Sequence, residues 1–414
     1  MENVKGVKSQ NVKSLYKGGF ILLLGFLFVK LGGFLFRIIC MNMLPVHAYG
    51  EVAVFIVLYN WFVLFATFNV TIGLAKFVSQ DRKRKELFYL SSLVGSLILS
   101  IIIAGLLFLL APWISATLNL SRTIVYWAIL SVPFAAVYNI GIFYFRGSYK
   151  MRSSVLADVI MTIIRIAALV GFLMAGIYYA PYMAFLLSFI LIDIYLLVRN
   201  RTSLPFNVSE IVSAFRTLLI YSAPIFLSEF LFLFSVGLDR VMLSGFYSTA
   251  EAGFYDVAVL LCIGYIMIAN SYSNALLPLA SSSQSDAGKR RSELVKALRA
   301  SSLFFVLYTL VVMLAGQPVI NLVNPVYLGV FSFIPLLAIA YMLLGFLRIL
   351  SFFANGIGYQ KHSVYAGAVF AFLSIVLNLY LVPKMMYWGA ISALLVSSAV
   401  SLAVMALLVW KVER

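Results

Sequence analysis

Charged side chains are scarce in this sequence: Asp, Glu, Lys and Arg make up 11% of its 414 residues, where a soluble chain carries about 25%. With 64% of positions hydrophobic, too little polar surface exists to cover a water-soluble fold. Cysteine is nearly absent as well. Cys40 and Cys262 stand alone near or within apolar runs, a spacing that fits no disulfide framework or thiolate metal site and leaves ordinary packing. The two histidines, His47 and His362, are expected in separate loops and form no ligand cluster. No glycine-rich loop ending in Lys-Ser/Thr occurs, which excludes ATP hydrolysis at a Walker site. The sequence also lacks His-Glu-x-x-His and Gly-x-Ser-x-Gly, and no outer loop is long enough for a glycosyltransferase or polymerase site. Neither a metal nor a cofactor is expected.

What is present is long apolar runs, with a mean hydropathy of +1.05. Each is near the roughly 20 residues that a helix needs to cross a bilayer. They are continuous rather than alternating, which favours helices over an outer-membrane barrel. Spans are expected near Gly18–Cys40, Val52–Ala75, Leu87–Ala111, Thr123–Phe145, Val155–Ala175 and Pro181–Val198. Six more are expected near Thr217–Leu238, Phe254–Pro278, Ala297–Gly316, Val330–Phe353, Ser363–Val382 and Gly389–Trp410.

The formal charge of +16 raises nucleic acid as a partner, and its distribution removes it. Lys5 to Lys17, Lys76 to Lys85, Arg146 to Arg152, Arg199 to Arg216, Lys289 to Arg299, Lys361, Lys411 and Arg414 all fall on one side. Arg122, Arg240 and Lys384 fall on the other, so the count is twenty-three against three. That is the positive-inside pattern of a multi-pass protein with both termini in the cytoplasm. The basic N-terminal segment is followed by an apolar run longer than a signal-peptide core, which reads as a first membrane helix.

The expected architecture is all-α, with about twelve transmembrane helices in two six-helix pseudo-symmetric lobes around a central cavity. The N-terminal lobe covers 1–198, a cytoplasmic linker 199–216 and the C-terminal lobe 217–414. Within the linker, Ser209–Arg216 has the pattern of a short amphipathic surface helix. Weak internal likeness supports two halves. Arg37 precedes Gly50 as Arg240 precedes Gly253, each by thirteen residues, and Pro133 and Pro335 sit at nearly the same offset. Repeats of six spans share one orientation, a plan found among transporters with the path between the halves.

Ionisable residues inside the hydrocarbon layer are the sharpest functional signal, since each costs roughly 2.5–3.5 kcal/mol at a helix centre on insertion scales. The candidates are Lys30, Arg37, Asp158, Arg165, Asp193, Glu229 and Arg348. Lys30 and Arg37 are two turns apart on one face, and Asp158 and Arg165 repeat that spacing. Lys30 either lines a cavity or pairs with a carboxylate such as Glu229; Asp193, close to Arg199, reads as a structural pair. The deep cations suit an anionic headgroup, whereas an exporter of cationic drugs calls for an anionic cavity. Pro133, Pro224 and Pro335 mark expected bends, and Asn355-Gly356-Ile357-Gly358 an expected turn.

Three stretches carry a resemblance. They are Gly33-Phe34-Leu35-Phe36-Arg37 through Tyr49-Gly50; Tyr221-Ser222-Ala223-Pro224 with Leu238-Asp239-Arg240-Val241 and Ala252-Gly253-Phe254-Tyr255; and Leu377-Asn378-Leu379-Tyr380 through Pro383 with Gly389-Ala390. The chain resembles the polysaccharide-biosynthesis flippases of the multidrug/oligosaccharidyl-lipid/polysaccharide exporter superfamily. Pro45-Val46-His47 departs from the acidic turn usual in relatives.

The resemblance implies a flippase in the cytoplasmic membrane that moves a polyprenyl-(pyro)phosphate-linked sugar to the outer leaflet by alternating access. Lys30, Arg37, Arg165 and Arg348 would meet the headgroup. Asp239 and Arg240 would form an outer gate, and Glu229 and Asp158 would serve in gating or ion coupling with a proton or sodium ion. A monomer among membrane lipids is expected. The alternatives are a cation-coupled multidrug exporter of the same superfamily and, from another class, a membrane-embedded glycosyltransferase, a polymerase or a synthase scaffold.

Overall fold

The computed structural model describes residues 25, 28–200, 207–282 and 286–412. Among these residues the secondary structure is helical, with no strand. Backbone N–H and C=O groups have no water to bond within a bilayer, so each apolar run satisfies its own as a helix. The helices are α1 (28–43), α2 (Val46–Thr67), α3 (Val70–Gln80), α4 (Lys85–Leu118), α5 (Arg122–Gly147), α6 (Met151–Met174) and α7 (Ala180–Arg199). They continue with α8 (Val208–Phe246), α9 (Thr249–Ser282), α10 (Ala287–Val323), a 3-10 helix at Pro325–Ser332, α11 (Ile334–Gly356) and α12 (Gln360–Val412).

Ten of these are long and apolar enough to cross a membrane. The last is two helices joined at Met386, whose φ of 50° and ψ of −119° break the helical path. Dividing α12 there and adding α1, whose expected start at Gly18 lies outside the described residues, accounts for the twelve expected spans.

Several boundaries differ from expectation. The span expected at Thr217–Leu238 is part of α8, 39 residues long, or about 58 Å at 1.5 Å per residue. Hydropathy registers only the apolar middle of such a helix. The Ser209–Arg216 segment is therefore the first turns of α8 and not a separate surface helix, and Arg240 lies inside a helix instead of an outer loop. Residues 201–206 of the expected linker are outside the described residues. Pro335 stands in the first turn of α11, where its missing N–H breaks no helical bond and calls for no bend, whereas Pro133 and Pro224 lie inside α5 and α8. His47 and His362 belong to the first turns of α2 and α12 and not to loops. The expected turn at Asn355–Gly358 is present, with Gly358 at φ 91°.

The chain forms two compact units. The first comprises residues up to Met43, Leu58–Trp113 and Ser121–Phe226, and the second Leu44–Val57, Ile114–Leu120 and Leu227–Arg414. In the first unit Val70, Leu74 and Val78 of α3 pack with Leu87 and Phe88 of α4, Ile140 of α5 and Leu218 of α8. Phe68 and Asn69, at φ 46° and 55°, separate α2 from α3, a break without proline or glycine.

In the second unit α9 packs on α11, and α11 on α12. Here helices approach closely enough to exclude a side chain. A Cβ on Gly50 would lie 1.7 Å from the Thr249 carbonyl oxygen, and one on Gly253 would lie 2.9 Å from the Gly50 Cα. Small residues permit such crossings in membranes, where packing and not water expulsion holds helices together. The two glycines matched by sequence offset thus meet. Asn119, in the left-handed region at φ 51°, ends α4 and donates Nδ2 to the Ser244 and Gly245 carbonyls at 3.0 and 3.1 Å. Cys40 and Cys262 are buried free thiols, as ordinary packing residues would be.

Candidate functional site

The first unit gathers charge on α5, α6 and α7. Asp158 on α6 accepts from Arg146 Nη2 on α5 at 3.1 Å and from the Tyr138 hydroxyl, and Arg146 Nε donates to Ser154 Oγ at 3.0 Å. Seven residues on, Arg165 does not share that carboxylate. Its Nε donates to Ser188 Oγ on α7 at 3.1 Å, and its guanidinium lies 3.9 Å from the centre of the Phe185 ring and 5.0 Å from that of Phe189. Stacking on aromatic faces suits arginine's planar, weakly hydrated cation, but it does not neutralise it. Arg165 has no carboxylate partner among the described residues. On α1, Lys30 is exposed and makes no ion pair among those residues, and Arg37 is half-buried.

In the second unit Arg348 and Arg240 are ion-paired. Arg348 on α11 grips Glu229 on α8 with both terminal nitrogens, at 3.2 and 3.3 Å, and donates Nε to Asn270 Oδ1 on α9 at 3.2 Å. Phe232 and Phe352 flank its guanidinium at 4.5 and 4.9 Å from their ring centres. Glu229 therefore serves Arg348. Arg240 is buried on α8. Its Nη1 donates to Asp256 Oδ1 on α9 at 3.0 Å, its Nη2 to the Val236 carbonyl at 3.0 Å, and its Nε lies 3.6 Å from Asp239 Oδ1. The Tyr49 hydroxyl completes the group, donating to Asp256 Oδ2 at 2.8 Å.

Sequence reasoning singled out Arg165, Arg240 and Arg348 but missed Tyr138, Ser188 and Asn270, polar residues with no motif of their own, and Tyr49 appeared only as the end of a family-like stretch. Asp256 directly follows the Ala252-Gly253-Phe254-Tyr255 stretch and carried no signal of its own. No group of three or more His, Cys, Asp or Glu able to hold a metal ion occurs among the described residues.

Long apolar helices with a few buried, mutually paired charges define an all-helical multi-pass membrane protein. Its fold is shared with transporters of the MOP superfamily. The chain belongs to the polysaccharide biosynthesis protein family, whose pattern it matches over residues 15–284. Among solved structures, the lipid II flippase MurJ in an inward closed conformation aligns with a TM-score of 0.76 at 15% identity, covering 94% of this chain and 87% of that one. An inward-facing multidrug resistance MATE transporter aligns at 0.71 and 15%, covering 92% and 95%. A MOP superfamily transporter from Pyrococcus furiosus, described by the reverse polarity of its binding pocket, aligns at 0.58 and 16%, covering 97% and 96%. No curated protein sequence matches it.

Proposed function

We propose that this protein is a flippase that carries a polyprenyl-(pyro)phosphate-linked oligosaccharide or polysaccharide precursor from the inner to the outer leaflet by alternating access. It would work as a monomer in the cytoplasmic membrane with both termini inside, coupled to a proton or sodium ion, and without enzymatic chemistry of its own. The family and the fold support a transporter of this class. The observation that carries the anionic substrate is Arg165, a guanidinium within a membrane-spanning helix that has no carboxylate partner among the described residues. Buried membrane charges usually serve a pathway, and arginine's fork matches phosphate oxygens.

In this reading Arg165 takes the phosphate, and Lys30 and Arg37 on α1 add positive charge. Arg348 joins when the headgroup competes with Glu229, which ties that ion pair to ion coupling. The Arg240–Asp239–Asp256 group acts as an outer gate, and Arg146–Asp158 holds the inner end of α5 and α6.

Transfer of a fluorescent lipid-linked sugar in vesicles tests the assignment. Arg165→Ala removes a charge-assisted contact worth about 1.5–3 kcal/mol, so transfer efficiency drops by roughly 10–100-fold, with Arg165→Lys between. Normal transfer at normal expression in Lys30→Ala, Arg165→Ala and Arg348→Ala alike would remove the cationic-headgroup assignment. Transport of organic cations in its place would favour the multidrug exporter, which the MATE-like fold also accommodates.

A further inference from the structure

Asp193 is a buried acid for which the headgroup reading has no use. It lies on α7 with 4% of its surface exposed, and neither carboxylate oxygen has a hydrogen-bond partner among the described residues. Arg199, the partner suggested by proximity in sequence, is exposed and lies about 240° further round the helix.

The groups around Asp193 come from several helices. Tyr59 on α2 feels the charge of both Asp193 and Arg165. Its ring packs on Phe185 and Phe189, the two rings that also carry the Arg165 guanidinium. On α4, Tyr89 also feels Asp193 and packs against Tyr144 of α5. Tyr138 of α5 and Asp158 of α6 bond each other, and Asp158 is already engaged by Arg146. The tyrosines carry no positive charge, and Tyr59 lies within electrostatic reach of both Arg165 and Asp193.

A carboxylate removed from water needs a compensating positive charge. No protein cation pairs with this one among the described residues. A hard metal ion would need several oxygen ligands, and no acidic cluster supplies them among those residues. A proton needs only the carboxylate itself.

We infer that Asp193 is a proton-binding site coupled electrostatically to Arg165. While the guanidinium is uncovered, its charge favours the ionised carboxylate. When a phosphate neutralises it, Asp193 takes a proton from solvent. Only the part played by phosphate rests on the headgroup reading.

Infrared spectroscopy of the reconstituted full-length protein tests this through the C=O stretch of a protonated carboxyl group. As the pH is lowered the wild type gains such a band, Asp158→Asn keeps it, and Asp193→Asn loses it. Should Asp193→Asn fail to fold, Asp193→Glu identifies the band by shifting its frequency. Arg165→Gln strengthens the band at fixed pH, and Arg165→Lys returns it toward wild type. Farnesyl pyrophosphate strengthens it in the wild type and not in Arg165→Gln.

A band unchanged in both Asp193 variants, or no effect of Arg165→Gln, overturns the inference. So does a band that disappears when sodium replaces potassium at constant pH, which would mark a metal site. If only the pyrophosphate effect is missing, the headgroup reading fails and the proton site stands.

Discussion

The Arg240 cluster offers a quantitative test of how the second unit is held together. Asp256 is fully buried and the Arg240 side chain is 9% exposed, with 3.0 Å between Nη1 and Oδ1. Asp256→Ala strands the guanidinium in a medium that cannot solvate it. Breaking a buried pair in this way costs about 3–5 kcal/mol. Asp239 lies 3.6 Å from Nε and retains part of the compensation, so the lower end, about 3 kcal/mol, is expected. Tyr49→Phe removes one hydrogen bond to a charged group, worth about 1.5–3 kcal/mol, and should destabilise less. Arg240→Met combined with Asp256→Leu should recover most of the loss, because the pair itself bears a desolvation cost. Equilibrium unfolding of the full-length protein in mixed micelles, followed by circular dichroism, measures all three variants. An Asp256→Ala protein as stable as wild type, or a double variant weaker than the single, would refute the reasoning.

Two further outcomes concern packing and pairing. Gly50→Ala places a methyl against the Thr249 carbonyl, a backbone atom that cannot rotate away; overpacking of this kind costs about 1–3 kcal/mol or more, read as a lower unfolding midpoint in the same micelles. A double-mutant cycle between Glu229→Gln and Arg348→Met should give a coupling energy of about 0.5–3 kcal/mol, and additive effects would show that the bidentate pair contributes nothing.

Much of the fold was legible in the sequence. Membrane insertion depends on the summed hydropathy of a local window, so the spans could be read one at a time. Helix ends were less legible, because α8 continues through polar turns that an apolar window does not register. The break at Phe68–Asn69 was invisible for a related reason: left-handed backbone at non-glycine residues is imposed by packing, not by propensity. Asp193 shows the same limit at the level of charge. Its nearness to Arg199 suggested a pair, but six residues along a helix turn the two side chains apart.

The sequence by itself determined that this is a multi-pass membrane protein of about twelve helices and which few charges fall inside its apolar runs. Only the tertiary structure decided which of those charges are already matched. Glu229 and Arg348 are 119 residues apart in the chain, and Tyr49 and Asp256 are 207 apart. Hydropathy adds up along a segment and can be read from it. A charge pair depends on two helices meeting at one depth and angle, which no single segment encodes. Arg165 and Arg348 looked alike in sequence, and among the described residues the fold gave a carboxylate only to Arg348.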